Sequence, residues 1–129
     1  MITAVLDASA LLATLREEPG GERVEPLLEY SAMSAVNFGE VVGFYARRGA
    51  PEEEIRQRLG ELPLARLPVD EELAYATGMM ISATRAAGLS FGDRACLALA
   101  QRLGVKALTT DRAWLQIAQA VGVEVEVIR

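Results

Sequence analysis

The chain has 129 residues, which suits one ordinary domain that buries about two thirds of the surface an unfolded chain exposes, so residues 1–129 need no second domain. Half of the residues are apolar, a quarter are charged and only five are proline, which excludes a disordered chain. The formal charge of −5 works against a polyanionic partner, and the absence of histidine excludes Ser-His-Asp and Cys-His catalysis, imidazole acid–base pairs and His-based zinc sites.

In chain order, Ile2 to Leu6 is a short apolar run that ends at Asp7 and reads as a buried strand, followed by a helix over Ala8 to Arg16. This start reaches a carboxylate after six residues and has no basic segment before a long apolar run, so it does not read as a signal peptide. No stretch approaches the length of a membrane span. The single cysteine, Cys96, can form no internal disulfide, which together with a start that does not read as a signal peptide points to the cytoplasm. Pro19-Gly20-Gly21 interrupts the first helix, and a second is expected over about residues 22–29. Tyr30 to Met33 forms a candidate strand, and Ser34 is placed to cap a helix over 35–48 that Gly49 stops. Pro51 with Glu52, Glu53 and Glu54 fits the first turn of another helix, where proline and acidic side chains are favoured.

Leu64 to Val69 reads as a strand, after which Asp70 caps a long helix expected to run to Ala87 and end at Gly88. Ser90-Phe91-Gly92-Asp93 matches a capping box and opens a helix to Leu103, closed by Gly104. Val105 to Leu108 is a strand, Thr109 to Asp111 a turn, and Ala113 to Val121 a helix closed by Gly122. Val123, Val125 and Val127 alternate with Glu124 and Glu126, the pattern of a half-exposed edge strand. Strands alternating with helices imply a parallel α/β sheet. Gly39 and Gly43 are expected to allow close packing of their helix, and Met79, Met80 and Ile81 to serve the core or a contact with a second copy.

Only four aspartates occur among eighteen acidic residues, and Asp7 and Asp111 lie at or just beyond the ends of apolar strands. Asp93 and Glu40 fall in the first two turns of helices. In a parallel sheet, strand C-termini and helix N-termini share one edge, so the four carboxylates can converge where such folds place ligands. Two carboxylates about 4 Å apart repel by roughly 4 kcal/mol at an effective dielectric of 20, and a divalent cation would relieve that repulsion. With oxygen ligands only, Mg²⁺ or Mn²⁺ is favoured, and such an ion supports phosphodiester hydrolysis without histidine. Taken singly, Asp93 reads equally well as half of a capping box, Asp111 as an N-cap and Glu40 as a solvent-facing residue. Asp7 is harder to assign to structure alone, because a charge ending a buried strand rarely serves packing. Twelve of the thirteen basic residues are arginine, and Arg94 and Arg112, each directly after one of these aspartates, are candidates for phosphate contacts that offset the net negative charge.

VLDASALL at 5–12, SAVNFGEVV at 34–42, LSFGDRACLALA at 89–100 and LTTDRAW at 108–114 together resemble the PIN-domain ribonucleases, and within them the VapC toxins of type II toxin–antitoxin pairs. The resemblance spans the whole chain. It implies a three-layer α/β/α fold with a parallel five-stranded sheet, the family's metal-binding and catalytic acids falling on Asp7, Glu40, Asp93 and Asp111. It also suggests supporting roles for the hydroxyls of Ser9 and Thr109, which orient carboxylates or water. The activity implied is endonucleolytic cleavage of RNA with Mg²⁺ or Mn²⁺, the partners a VapB-type antitoxin and a second copy of the chain.

Two other readings compete. A phosphoryl-transfer domain of the haloacid dehalogenase type needs a second Asp two residues after the first, where this chain has Ser9; a receiver domain needs a lysine late in the chain, whereas the only lysine, Lys106, precedes Asp111. A catalytically silent PIN domain acting as a binding module is disfavoured by retention of all four acids, and nuclease assays with and without Mg²⁺ separate the two.

Overall fold

The computed structural model describes all 129 residues, Met1–Arg129. Five short strands, β1 (Ala4–Leu6), β2 (Ser31–Ser34), β3 (Ala65–Leu67), β4 (Lys106–Thr109) and β5 (Val125–Val127), form one all-parallel sheet in the order β3-β2-β1-β4-β5. The helices are α1 (Ala8–Leu15), α2 (Gly21–Val24), α3 (Ala35–Arg47), α4 (Glu52–Gly60), α5 (Glu71–Met79), α6 (Ile81–Thr84), α7 (Phe91–Leu103) and α8 (Ala118–Val121). β1 is central: Ala4 lies beside Ser31 on one flank and Lys106 on the other, and Leu6 pairs with Leu108.

Successive strand residues point to opposite faces, and the two hydrophobic clusters follow that alternation. Val5, Ala32 and Ala107 join Leu73, Leu97 and Trp114 on one face. Ala4, Leu6, Met33 and Leu108 join Leu11, Val41 and Ile55 on the other. The sheet is therefore covered on both sides, as parallel sheets require, with α5 and α7 over one face and α1, α3 and α4 over the other. This is the expected three-layer arrangement. β5 is an edge strand as its alternation predicts, and Glu126 on it is held by Arg23 at 2.6 Å and Lys106 at 2.9 Å.

Several boundaries differ from the sequence reading. The helix expected over 22–29 stops at Val24 and tightens into a 3₁₀ segment, Glu25–Tyr30, because Pro26 has no N–H to continue the α ladder. The single helix expected from Asp70 to Ala87 is broken at Met80 into α5, α6 and a 3₁₀ turn, Arg85–Ala87. Gly78 weakens the helix just before the break, and the hydroxyls of Thr77 and Thr84 bond back to Leu73 and Met80 carbonyls, a pattern that bends helices. The helix expected over 113–121 divides into a 3₁₀ segment, Arg112–Gln116, and α8.

Gly39 and Gly43 do not mediate close packing. A methyl group at either would meet nothing within 4 Å, because α3 turns this stripe away from the rest of the chain. Of the three residues at 79–81, Met80 is buried, while Met79 and Ile81 are exposed.

Candidate active site

Asp7 stands directly after β1, and its backbone N–H donates to Leu108 O on β4 at 3.1 Å, which continues the strand pairing up to the carboxylate. Its side chain caps α1. Oδ1 accepts from Ala10 N at 2.8 Å and from Ser9 Oγ at 2.7 Å, and Oδ2 accepts from Thr109 Oγ1 at 2.6 Å. The carboxylate is buried, and burial pushes its pKa up to about 6. The hydrogen bonds from Thr109, Ser9 and Ala10 oppose that rise, and the negative charge of Asp93 adds to it.

The two hydroxyls do more than hold Asp7. Thr109 Oγ1 also accepts from Asp111 N at 3.1 Å, and Ser9 Oγ accepts from Thr110 N at 3.0 Å, so the turn after β4 is fastened to the start of α1. Asp111 in turn accepts from Ala113 N at 2.9 Å and caps the following 3₁₀ segment, whose Trp114 is completely buried. Ser9 and Thr109 thus occupy supporting positions around the acid.

Asp93 closes the capping box foreseen at Ser90. Its Oδ2 accepts from Ser90 N at 2.9 Å while Ser90 Oγ accepts from Asp93 N at 3.2 Å. Glu40, in the second turn of α3, projects outward and takes Asn37 Nδ2 at 2.9 Å on Oε1. Cys96 lies beneath these groups. Burial pushes its thiol pKa up, and the negative charges of Asp7, Asp93 and Glu40 push it the same way.

No three of these carboxylates are spaced to grip one metal ion, so the convergence expected from the sequence is a shared edge and not a closed cage. Each acid is held by its own local donor: Asp93 by Ser90, Asp111 by Ala113 and Glu40 by Asn37. Asp111 is exposed and is coupled to Asp7 through Thr109. None of the four acids is paired with an arginine or lysine, so their charges stand unneutralised. An all-oxygen donor set with a buried, proton-hungry carboxylate at its centre fits a hard divalent cation in chemistry.

The two arginines differ. Arg94 turns back along α7, donating from Nη1 to Leu89 O at 3.1 Å with its guanidinium 5.8 Å from the Phe91 ring centroid, and its Nε has no partner. Arg112 is exposed and free of intramolecular pairing. Sequence reasoning passed over Asn37 and Gly92. Asn37 lies three residues before Glu40, a spacing that puts both side chains on one helix face, and that was the available signal.

The PIN domain sequence profile matches residues 4–120. The chain belongs to the PIN-domain family. Among solved structures, PIN-fold neighbours include DNA-bound VapBC from Salmonella typhimurium, with TM-score 0.75 and 20% identity over 98% of each chain. VapC20 from Mycobacterium tuberculosis, a toxin that cleaves the sarcin–ricin loop, aligns with TM-score 0.72 and 18% identity over 98% of this chain and 99% of its own. A toxin–antitoxin complex from Klebsiella pneumoniae aligns with TM-score 0.63 and 19% identity over 84% and 87% of the two chains. No curated protein matches this PIN domain by sequence. No helix is long and apolar enough to cross a membrane.

Proposed function

We propose that this PIN domain is a divalent-metal-dependent endoribonuclease and the toxin of a VapBC-type pair. The observation that carries the reading is the Asp7 carboxylate: buried, raised in pKa to about 6, fixed by Ser9, Ala10 and Thr109, and facing the charge of Asp93. A buried carboxylate this firmly oriented and this poorly neutralised is tuned for a cation. Asp7, Glu40 and Asp93 would hold Mg²⁺ or Mn²⁺ only by closing on it from their shared edge, since they are not spaced to grip an ion as they stand, with Asp111 at the rim. When bound, the ion supplies Lewis acidity to a phosphodiester and lowers the pKa of water. Ser9 and Thr109 keep the Asp7 oxygens in place, and Arg112 is better placed than Arg94 to meet an RNA phosphate.

A VapB-type antitoxin is the proposed protein partner. Supporting it is an apolar groove of about 520 Å³ between α3 and α4, lined by Phe38, Val42, Ala46, Ile55 and Leu59 with Arg66 at its edge. A second copy is the other proposed partner, through the exposed Tyr75, Met79 and Ile81. The proposed setting is the cytoplasm, where Cys96 stays a thiol.

The deciding experiment is RNA cleavage by Asp7→Asn, which keeps shape and removes charge. Cleavage should vanish while the circular dichroism spectrum and cooperative unfolding persist; a folded variant that cuts RNA at the parental rate would refute the assignment.

A further inference from the structure

We propose that Asn37 is a positioning residue, and that its buried amide and the bare Cα of Gly92 together fix the Glu40 carboxylate at the site. The proposal rests on the reading of Glu40 as a metal-binding acid. Asn37 is 1% exposed, although it lies in the first turn of a helix whose Glu40 faces outward. A buried polar side chain persists when its bonding capacity is used, and here it is. Oδ1 accepts from Ser34 Oγ at 2.7 Å, while Nδ2 donates both to Gly92 O and to Glu40 Oε1, each at 2.9 Å.

The orientation of this amide is dictated by its partners. A carbonyl and a carboxylate can only accept, so the nitrogen must face Gly92 O and Glu40. Ser34 Oγ already accepts from Asn37 N at 3.1 Å as the helix cap, which leaves its own proton for Oδ1. One amide therefore ties the start of α3 to the start of α7, 55 residues away, and gives its second proton to the acid. Because Gly92 directly precedes Asp93, the same tie sets the separation of two of the four acids.

Gly92 completes the seat. A Cβ there would fall 2.6 Å from Glu40 Oε2 and 2.9 Å from Cδ, so the carboxylate occupies the space a side chain would take. The backbone at Gly92 is ordinary helix and does not itself call for glycine, which is a weaker helix former than alanine. Close approach of Glu40 is the reason for it. Without the amide and the bare Cα, an exposed glutamate with three free torsions would range over many rotamers.

The test compares Mn²⁺ affinity by calorimetry, kcat and KM for RNA cleavage, and metal-free melting temperature. Glu40→Gln sets the reference. Gly92→Ala leaves the tie between Asn37 and Gly92 O intact and favours the helix, so it should melt no lower than the parent, yet bind Mn²⁺ about 10- to 100-fold more weakly, the usual penalty for disturbing a ligand's support. Its kcat should fall with KM nearly unchanged. Asn37→Ala should weaken Mn²⁺ binding similarly in the parent but add nothing in the Glu40→Gln background, because it acts through that side chain. Asn37→Ala that weakens binding equally in both backgrounds, or Gly92→Ala that binds and cleaves like the parent, would overturn the proposal. Parental Mn²⁺ binding by Glu40→Gln would instead overturn the reading of Glu40, and the proposal with it. If Asn37→Ala fails to fold, Gly92→Ala decides alone.

Discussion

Thr109 gives its hydroxyl proton to a carboxylate 102 residues earlier in the chain, Asp7 Oδ2, at 2.6 Å. The Thr109 hydroxyl oxygen also accepts from Asp111 N, so removing it strands a buried acceptor and a backbone donor together. Thr109→Val keeps the shape and should destabilise the fold by about 1–3 kcal/mol, the penalty for unpaired buried polar groups, while Thr109→Ser should recover most of it. Urea unfolding of the two variants checks this.

Stability should depend on pH through Asp7. Its pKa rises from 3.8 to about 6 on folding, chiefly through burial, so the folded state binds the proton more tightly than the unfolded one. The contribution of Asp7 is then greatest below about pH 4, falls as pH rises from about 4 to 6, and is flat above. The shift corresponds to about 3 kcal/mol at 1.36 kcal/mol per unit. Asp7→Asn should flatten this part of the curve and melt higher than the parent near pH 7 without metal. Thermal scans across pH for both proteins, in chelator, measure the difference.

Divalent metal should reverse that loss. Binding to the folded state alone raises stability by RT ln(1 + [L]/Kd), about 2.7 kcal/mol at a hundred times Kd. The gain from Mg²⁺ or Mn²⁺ should be larger at pH 7 than at pH 5, because at pH 5 the ion competes with the Asp7 proton. A melting temperature that ignores tens of millimolar Mg²⁺ at pH 7 would count against the metal site.

Trp114 is fully buried with its Nε1 unpaired, directly behind the turn that carries Asp111. Trp114→Phe discards the unpaired N–H and should be mild. Trp114→Ala should cost about 3–5 kcal/mol, as large aromatic truncations in cores do. Chemical denaturation ranks the two, and RNA cleavage by the milder variant reports whether the Asp111 turn keeps its place.

Arg94 and Arg112 should separate in function. Arg94→Ala loses the bond to Leu89 O and should destabilise by about 1 kcal/mol with a small effect on RNA affinity. Arg112→Ala should leave stability unchanged and weaken RNA binding, an effect that fades as salt rises. Affinity measured in Ca²⁺ at two salt concentrations, beside urea unfolding, distinguishes them.

The parts of the fold that local chemistry determines were readable in advance. The Ser90–Asp93 box, the apolar run ending at Asp7 and the alternation over Val123 to Val127 each carry their own signal, and each appears as expected. The break at Met80 was not readable, because the apolar pattern runs through it and only Thr back-bonding and a weak Gly78 mark it. Asn37 looked like any polar residue in an apolar helix, since its burial is decided by Gly92 O, far away in sequence. Arg94 stood next to an acid in sequence, but its own helix turns it toward Leu89.

The position of β1 in the sheet also bears on the order in which the molecule is made. Asp7 leaves the ribosome well before β4, yet β1 acquires its second neighbour only when β4 follows, and the Thr109 hydroxyl comes from that same strand. Contacts of such long sequence separation form late, after the loop between them has been closed. A growing chain that stops short of β4 leaves β1 with one exposed flank and Asp7 without its donor. Asp7, the first of the four acids to be synthesised, therefore waits for a donor made 102 residues later.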